Sequence, residues 1–321
     1  MDTVNLAYAH STLPVTPTIA VIILNWNAAA DTICCVQQCA AWQGVNSVVY
    51  VVDNASSGAD VEQIAQACPH VHLIRNAANL GFAGGSNVGM AAALSAGCNA
   101  LLLLNNDAQL AATTLQQLWH TLISAPTHGV VGPLLYSADQ PPRLITAGYG
   151  NPVLHLDNRI RTLPAGETNF PVHYISGSVA LIRASLLQQI GLLDERFFFS
   201  GEVADLCQRA AACGFRTLVD VQARATHNVD RSARWRSTLY TYYIVRNRFL
   251  YARNTYKQSA YGLAGLLLLG FWAFYGWLLT VKLRLTGQRT TALAVWLGTV
   301  DGVTGRFGGQ NERILNELAG K

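Results

Sequence analysis

The chain has 321 residues, 51% of them apolar and only 12% charged, with a net charge of +4. That length buries a full core, as one large domain with an appendage or as two modest domains. The low charge content argues that part of the surface meets lipid or a partner, while the mild net charge and the lack of a Lys/Arg-rich run argue against nucleic acid.

Residues 1–17 lack the basic start and apolar run of a signal peptide and read as a disordered or extended terminus, leaving the following domain in the cytoplasm. Ile19–Leu24 is an unbroken apolar run that breaks at Asn25-Trp26-Asn27, the pattern of a buried strand ending in a polar turn. A helix follows from about Asp31 to Trp42. Val48–Val52 forms a second strand that ends in Asp53-Asn54-Ala55-Ser56-Ser57. A short helix over 60–68 and a third strand at Val71–Ile74 come next. The loop Asn79–Gly89 then leads into a helix through Ser95 and the strand Leu101–Leu104. This βαβα alternation predicts a mostly parallel central sheet with helices on both faces, an α/β fold of Rossmann-like type.

Five prolines between 137 and 171 mark a loop-rich insertion beside an acceptor site. Order resumes at Tyr174–Ile182, and a helix is expected over Val203–Cys213, closed by Gly214. Ser259–Val281 carries no formal charge and as a helix would span about 34 Å, enough for a bilayer core. Thr291–Val300 is too short to span. Arg246, Arg248, Arg253 and Lys257 precede the long segment and Lys282, Arg284 and Arg289 follow it, so a positive-inside count gives no orientation. A hairpin or in-plane helix with both ends cytoplasmic accounts for this better than one crossing, with a buried core helix or dimer interface as the other reading. Seven cysteines without a C-x-x-C pair offer neither a zinc site nor a disulfide framework, as in a reducing compartment.

The chemistry gathers at strand ends. In Leu104-Asn105-Asn106-Asp107, Asn105 and Asp107 share one face of an extended backbone. Their oxygens can converge on a hard divalent cation carrying a diphosphate, or simply turn the chain and cap the next helix. If the strands are parallel, the clusters at Asn25–Asn27, Asp53–Ser57, Asn79–Asn87 and Asn105–Asp107 meet along one sheet edge. The glycines of Asn79-Leu80-Gly81-Phe82-Ala83-Gly84-Gly85-Ser86-Asn87 suit a backbone that packs against a nucleotide.

With these clusters in order, together with Ser176-Gly177-Ser178, Gly191–Phe198, Glu202, Asp205-Leu206-Cys207, His227 and Arg246-Asn247, residues 18–250 resemble the family 2 inverting glycosyltransferases of GT-A fold. The likeness is to their rhamnosyltransferase-like branch. The resemblance implies a GT-A domain over 18–250, and the apolar composition beyond it marks 251–321 as a hydrophobic helical, membrane-associating region. It implies a nucleotide-diphosphate sugar donor held by Asn25, Asn27, Asp53, Asn54, Asn79, Gly81, Phe82, Asn87, Asn105 and Asn106. Gly177 and Ser178 would face the acceptor, and Asp107 with His227 would hold Mg²⁺ or Mn²⁺. The acceptor would be a glycan or lipid-linked, at the cytoplasmic side of the bacterial inner membrane, in surface polysaccharide synthesis. A homo-oligomer stays open.

The sequence departs from the family at Glu202-Val203-Ala204-Asp205, where the usual pattern is Glu-Asp-x-Asp and Val203 stands where the general base is expected. Either Glu202 shifts into the role or Asp205 serves as the base; Glu202 is favoured, with Asp205 orienting it or capping the helix. The alternatives are an impaired enzyme, or a non-catalytic nucleotide-sugar-binding or scaffold protein of the same fold. A nicotinamide-dependent oxidoreductase would share the sheet, but Asn25-Trp26-Asn27-Ala28 has no glycine to admit a dinucleotide pyrophosphate.

Overall fold

The computed structural model describes residues 17–152, 158–228, 234–256 and 262–319. The expected terminus, up to residue 16, and the start of the apolar stretch at 259–261 lie outside the described residues. In chain order the elements are β1 (Ile19–Asn25), α1 (Ala29–Ala40), β2 (Ser47–Asp53), α2 (Asp60–Ala67), β3 (His72–Arg75), α3 (Gly81–Ser95) and β4 (Ala100–Leu104). They continue with β5 (Ala108–Leu110), α4 (Ala112–Ile123), β6 (His128–Ser137), β7 (Leu144–Thr146), β8 (Asn169–Pro171), β9 (Val179–Arg183), α5 (Ala184–Ile190), α6 (Glu202–Ala212) and β10 (Arg216–His227). Four helices end the chain: α7 (Arg234–Tyr256), α8 (Gly262–Leu285), α9 (Arg289–Thr304) and α10 (Asn311–Ala319).

Among the described residues the ten strands form one sheet, in the order β3-β2-β1-β4-β9-β6-β10-β5, with β7 on β6 and β8 on β10. The strands β3, β2, β1 and β4 are parallel, and so are β6 and β10. Between these blocks β9 runs antiparallel to both β4 and β6. The reversal shapes the site. A parallel strand delivers its last residues to the carboxyl edge, whereas β9 delivers the residues before its start, so Ser176-Gly177-Ser178 arrive at the same edge as Asn25, Asp53 and Asp107.

Side-chain alternation along β1 divides the core. Ile19, Val21 and Ile23 point to one face, packed with Val36 of α1, Ile64 of α2 and Leu118 of α4. Ala20 and Ile22 point to the other, packed with Met90 of α3, Leu186 of α5 and Leu206 of α6. The expected boundary at 250/251 falls inside α7, which packs against α9 and is continuous across it. Helices α8 and α9 meet closely at Gly276, where a Cβ would collide with Thr299. The loop-rich insertion is tied to the sheet by β7, β8 and bridges from Tyr149 to Arg159 and Tyr174.

Candidate active site at the carboxyl edge of the sheet

Asn25 and Asp53 end adjacent strands and stand opposite each other in register. Both are fully buried. Asn25 Nδ2 donates to Asp53 Oδ1 at 2.8 Å and to Asp60 Oδ2 at 3.0 Å, while Asp53 Oδ2 accepts from the Ser56 amide at 3.1 Å. Asn25 Oδ1 accepts from Thr32 Oγ1, which accepts in turn from Asn106 Nδ2 at 3.0 Å. One chain of hydrogen bonds thus runs from Asp53 to the turn that carries Asp107. Asn27 is in the left-handed region (φ 52°), which asparagine tolerates, and its Oδ1 takes the Ser57 amide at 2.7 Å. Thr32 and Asp60 carry no signal in the sequence, because nothing in their neighbourhood marks them. Only the fold brings them to Asn25.

The glycine-rich segment differs from its expectation as a loop against a nucleotide. Helix α3 already begins at Gly81, and its first amides, of Phe82 and Ala83, donate to the Phe198 carbonyl at 2.6 and 3.4 Å. The helix N-terminus is therefore capped by protein. Gly81 has φ +73° and lies where a Cβ would strike Phe198. Further along, a Cβ at Gly89 would stand 3.0 Å from both Ile22 and Val52. These glycines let the helix backbone settle on β1 and β2. The Asn54 side chain is fully engaged in holding the same helix start. Its Nδ2 donates to Asn79 Oδ1 and the Gly81 carbonyl, and its Oδ1 accepts from Asn76 Nδ2 and the Leu80 amide. Asn79 Oδ1 also takes the Gly81 amide, and Asn87 binds the Leu193 backbone in both directions and Glu195 Oε1. Asn54, Asn79 and Asn87 hold the helix and its neighbours in place, with the Phe82 ring left beside Gly177.

At the end of β4 the turn brings Asp107 to His227, the last residue of β10, because β5 pairs Ala108 with His227. Asp107 Oδ1 and His227 Nε2 are 3.1 Å apart, both nearly buried. Asn105 Nδ2 lies 3.5 Å from the same imidazole nitrogen and 3.4 Å from Ser178 Oγ, and its amide donates to the Ser178 carbonyl. Among the described residues no cluster of three or more His, Cys, Asp or Glu forms. A carboxylate and an imidazole side by side suit Mg²⁺ or Mn²⁺, which takes one or two protein ligands and fills its remaining positions with phosphate oxygens and water.

Glu202 opens α6 after a tight loop in which Phe198 (φ 62°), Ser200 (φ 70°) and Gly201 (φ 107°) all sit at positive φ. Such strain persists only where the surroundings enforce it. Here Asn247 Nδ2 faces three carbonyls of the loop, those of Phe197, Phe199 and Ser200, and Arg246 clamps those of Arg196 and Phe197. Glu202 is buried, and its Oε2 has no hydrogen-bond partner. Burial, with Asp205 nearby, pushes its pKa from 4.5 up to about 7. Asp205 is engaged instead: it accepts from Arg209 Nε and from Asn254 Nδ2, both at 2.8 Å, joining α6 to α7. Val203 points into the core, against Gly177.

Known proteins resemble this chain in sequence and in fold. The family model "Glycosyltransferase like family 2" matches residues 17–251. The Haloferax volcanii low-salt glycan biosynthesis hexosyltransferase Agl10 is 28% identical over 215 residues, 65% of this chain and 68% of that protein. A Mycobacterium tuberculosis N-acetylglucosaminyl-diphospho-decaprenol L-rhamnosyltransferase is 27% identical over 209 residues, 57% of this chain and 67% of that one. Among solved structures, the mannosyltransferase PcManGT of Pyrobaculum calidifontis, in complex with GDP-Man and Mn²⁺, shares the fold with a TM-score of 0.58. Its identity is 15%, over 90% of this chain and 88% of that one. GalNAc-T7 with UDP, GalNAc and Mn²⁺ gives a TM-score of 0.57 at 16% identity, over 67% of this chain but only 44% of that chain. The chain belongs to glycosyltransferase-like family 2 and has the GT-A fold.

Proposed function

We propose that this protein is a divalent-metal-dependent inverting glycosyltransferase working at the cytoplasmic face of a bacterial inner membrane. It moves a sugar from a nucleotide-diphosphate donor to a glycan or lipid-linked acceptor in surface polysaccharide synthesis. The observation that carries the reading is the meeting of Asp107 and His227 on the edge that also holds Asn25 and Asp53. The names of the hexosyltransferase and rhamnosyltransferase relatives favour a hexosyl or rhamnosyl donor, and the resemblance to the rhamnosyltransferase-like branch makes dTDP-rhamnose the first candidate.

In this reading Asp53, oriented by Asn25, receives the nucleoside, with Asn27, Asn105 and Asn106 beside it, while Asp107 and His227 hold the cation. A divalent cation held by these two side chains would supply positive charge against the charge that develops on the departing diphosphate. Glu202 takes the proton of the acceptor hydroxyl as that oxygen attacks the anomeric carbon from the opposite side and the bond to the diphosphate breaks. Its Oε2 carries no hydrogen bond, so a lone pair is unused and can accept that one, and its raised pKa keeps it basic enough to take the proton near neutral pH. Ser178 and Gly177, brought in by the reversed β9, line the acceptor side.

Calorimetric titration with dTDP-, UDP- and GDP-sugars, with and without Mn²⁺, followed by transfer assays, tests this. The reading expects Mn²⁺-dependent binding of one donor and its turnover. Binding of none would overturn it. Burial of Val203 at the family's base position favours a second reading, a non-catalytic sugar-nucleotide-binding protein, which predicts donor binding without transfer or hydrolysis.

A further inference from the structure

Helix α7 carries arginines but no carboxylate. Arg246 is occupied by the Arg196, Phe197 and Gly308 carbonyls, and Arg253 donates to those of Gly302 and Val303. Arg248 has no such acceptor among the described residues. Its guanidinium lies over the ring of Trp272 on α8, 4.5 Å from the ring centre. Trp272 is buried, and its indole Nε1–H also lacks a partner. Two donors without acceptors, one of them a permanent cation, thus sit together in the seam between α7 and α8, and α8 supplies no carboxylate to either. Burial pulls the Arg248 pKa below the usual arginine range, with Tyr275 and Tyr174 the neighbours that oppose it.

The seam lies on a line from the site to the apolar helix. Tyr240, Ile244 and Arg248 share one face of α7 at a spacing of four residues, which puts Arg248 about 12 Å along the helix from Tyr240. Tyr240 packs edge-on against Phe199 of the loop before Glu202, 5.6 Å between ring centres, and feels the Glu202 charge. Tyr174 precedes Ser176-Gly177-Ser178 by two residues. At the other end α8 turns an open apolar stripe outward, with Leu266, Leu267 and Phe271 all exposed.

We infer that Arg248 and the Trp272 indole N–H form a binding site for the phosphate of a lipid-linked saccharide acceptor. The hydrocarbon tail lies along α8 and the sugar reaches past Tyr240 to Glu202. A phosphate supplies what the seam lacks, acceptor oxygens and negative charge, at the depth where the headgroup of a membrane-held substrate must lie. The inference rests on the transferase reading and adds to it the residue that tells a phosphate-bearing acceptor from a neutral one.

The test uses the full chain in neutral detergent micelles, with farnesyl diphosphate and farnesol as probes. A chelator is present so that diphosphate cannot be held through a cation at Asp107 and His227. Farnesyl diphosphate binds at least ~10-fold more tightly than farnesol, the scale of charge-assisted hydrogen bonds. Arg248→Met abolishes the preference and Arg248→Lys keeps part of it. If Arg248→Met does not fold, as judged by circular dichroism, Arg248→Lys and Trp272→Phe each reduce the preference. Equal affinities in the wild type, or a preference undiminished in the folded variants, overturn the site. A parallel titration of donor sugars with Mn²⁺ separates the two levels. Donor binding without diphosphate preference removes this site alone, whereas a wild type that binds no donor removes the transferase reading beneath it.

Discussion

Asn25 and Asp53 face each other across the parallel pair of β1 and β2, and the Asn25 amide bridges the Asp53 and Asp60 carboxylates with its two N–H groups. An amide between the buried Asp53 carboxylate and the half-buried one of Asp60 fixes both and leaves each a free lone pair. Asp53→Ala removes the carboxylate proposed to read the nucleoside, while Asn25 keeps Asp60 as an acceptor. Donor affinity falls by ~10-fold or more, the scale of a lost hydrogen bond to a charged group. Calorimetry against nucleotide sugars measures it, and unchanged affinity would place the nucleoside elsewhere.

Asp107 and His227 meet only because β5 turns back on β10. If they hold the cation, Asp107→Asn lowers kcat by ~10²–10³-fold, as loss of one electrostatic stabiliser of transition-state charge does. His227→Ala raises the Mn²⁺ concentration required for half-maximal rate. A chelator abolishes turnover in the wild type, and Mn²⁺ restores it. Transfer that persists at full rate after chelation would remove the metal from the proposal.

The first half of the sheet was legible because β1, β2 and β4 are continuous apolar runs that stop at polar residues, so each strand announces its own carboxyl end. In the second half only the apolar run of β9 could be read in this way. Strand β6 contains Gly129, Gly132 and Pro133, residues that ordinarily argue against an interior strand. Strand β10 has a bulge between Asp220 and Arg224 that disrupts its alternation. The glycines of α3 read as a loop because their purpose, close approach to Ile22 and Val52, exists only once the sheet is formed. Likewise nothing near Arg248 in the chain distinguishes it from Arg246, whose partners lie about fifty residues earlier and sixty later.

Helix α8 is long and apolar enough over Gly265–Leu285 to cross a membrane, yet one side is fastened to α7 and α9 through Trp272 and Gly276. The outward side repeats Leu263, Leu266, Leu267, Phe271, Phe274 and Leu278 at helical spacing. A helix held flat on the protein with an open apolar stripe suits an in-plane anchor. Leu266 and Leu267 are each 67% exposed, so replacing both and Phe271 with Gln costs little stability but removes several kcal/mol of burial in lipid, at ~1.5–3 kcal/mol per side chain. The triple variant should stay in the supernatant on sedimentation with anionic vesicles while the wild type pellets. Truncation after Asn254 is a poorer test, since it strips α8 to α10 from Tyr242, Tyr243 and Phe249. Equal pelleting of variant and wild type would turn the stripe into a protein interface.

The Glu202 assignment makes two demands that a merely structural residue would not meet together. As the base it must be ionised, so kcat/KM rises with pH through about 7 and levels off above, and Glu202→Gln lowers transfer by ~10²-fold or more while donor affinity holds. The second demand concerns stability. The folded protein keeps the Glu202 proton up to about 7, whereas the unfolded chain releases it near 4.5. A raised acid pKa therefore contributes stability that is fully present below 4.5 and lost as pH climbs through 7. The ionised carboxylate loses about 3 kcal/mol relative to the protonated form, to order of magnitude. Gln never ionises, so the variant melts close to the wild type at about pH 4 and several degrees above it at about pH 8. Thermal melts across that range, paired with transfer rates, read both demands in one protein. Wild-type turnover by Glu202→Gln would end its role as base, and melting curves whose separation did not grow with pH would show that the carboxyl is not held out of water.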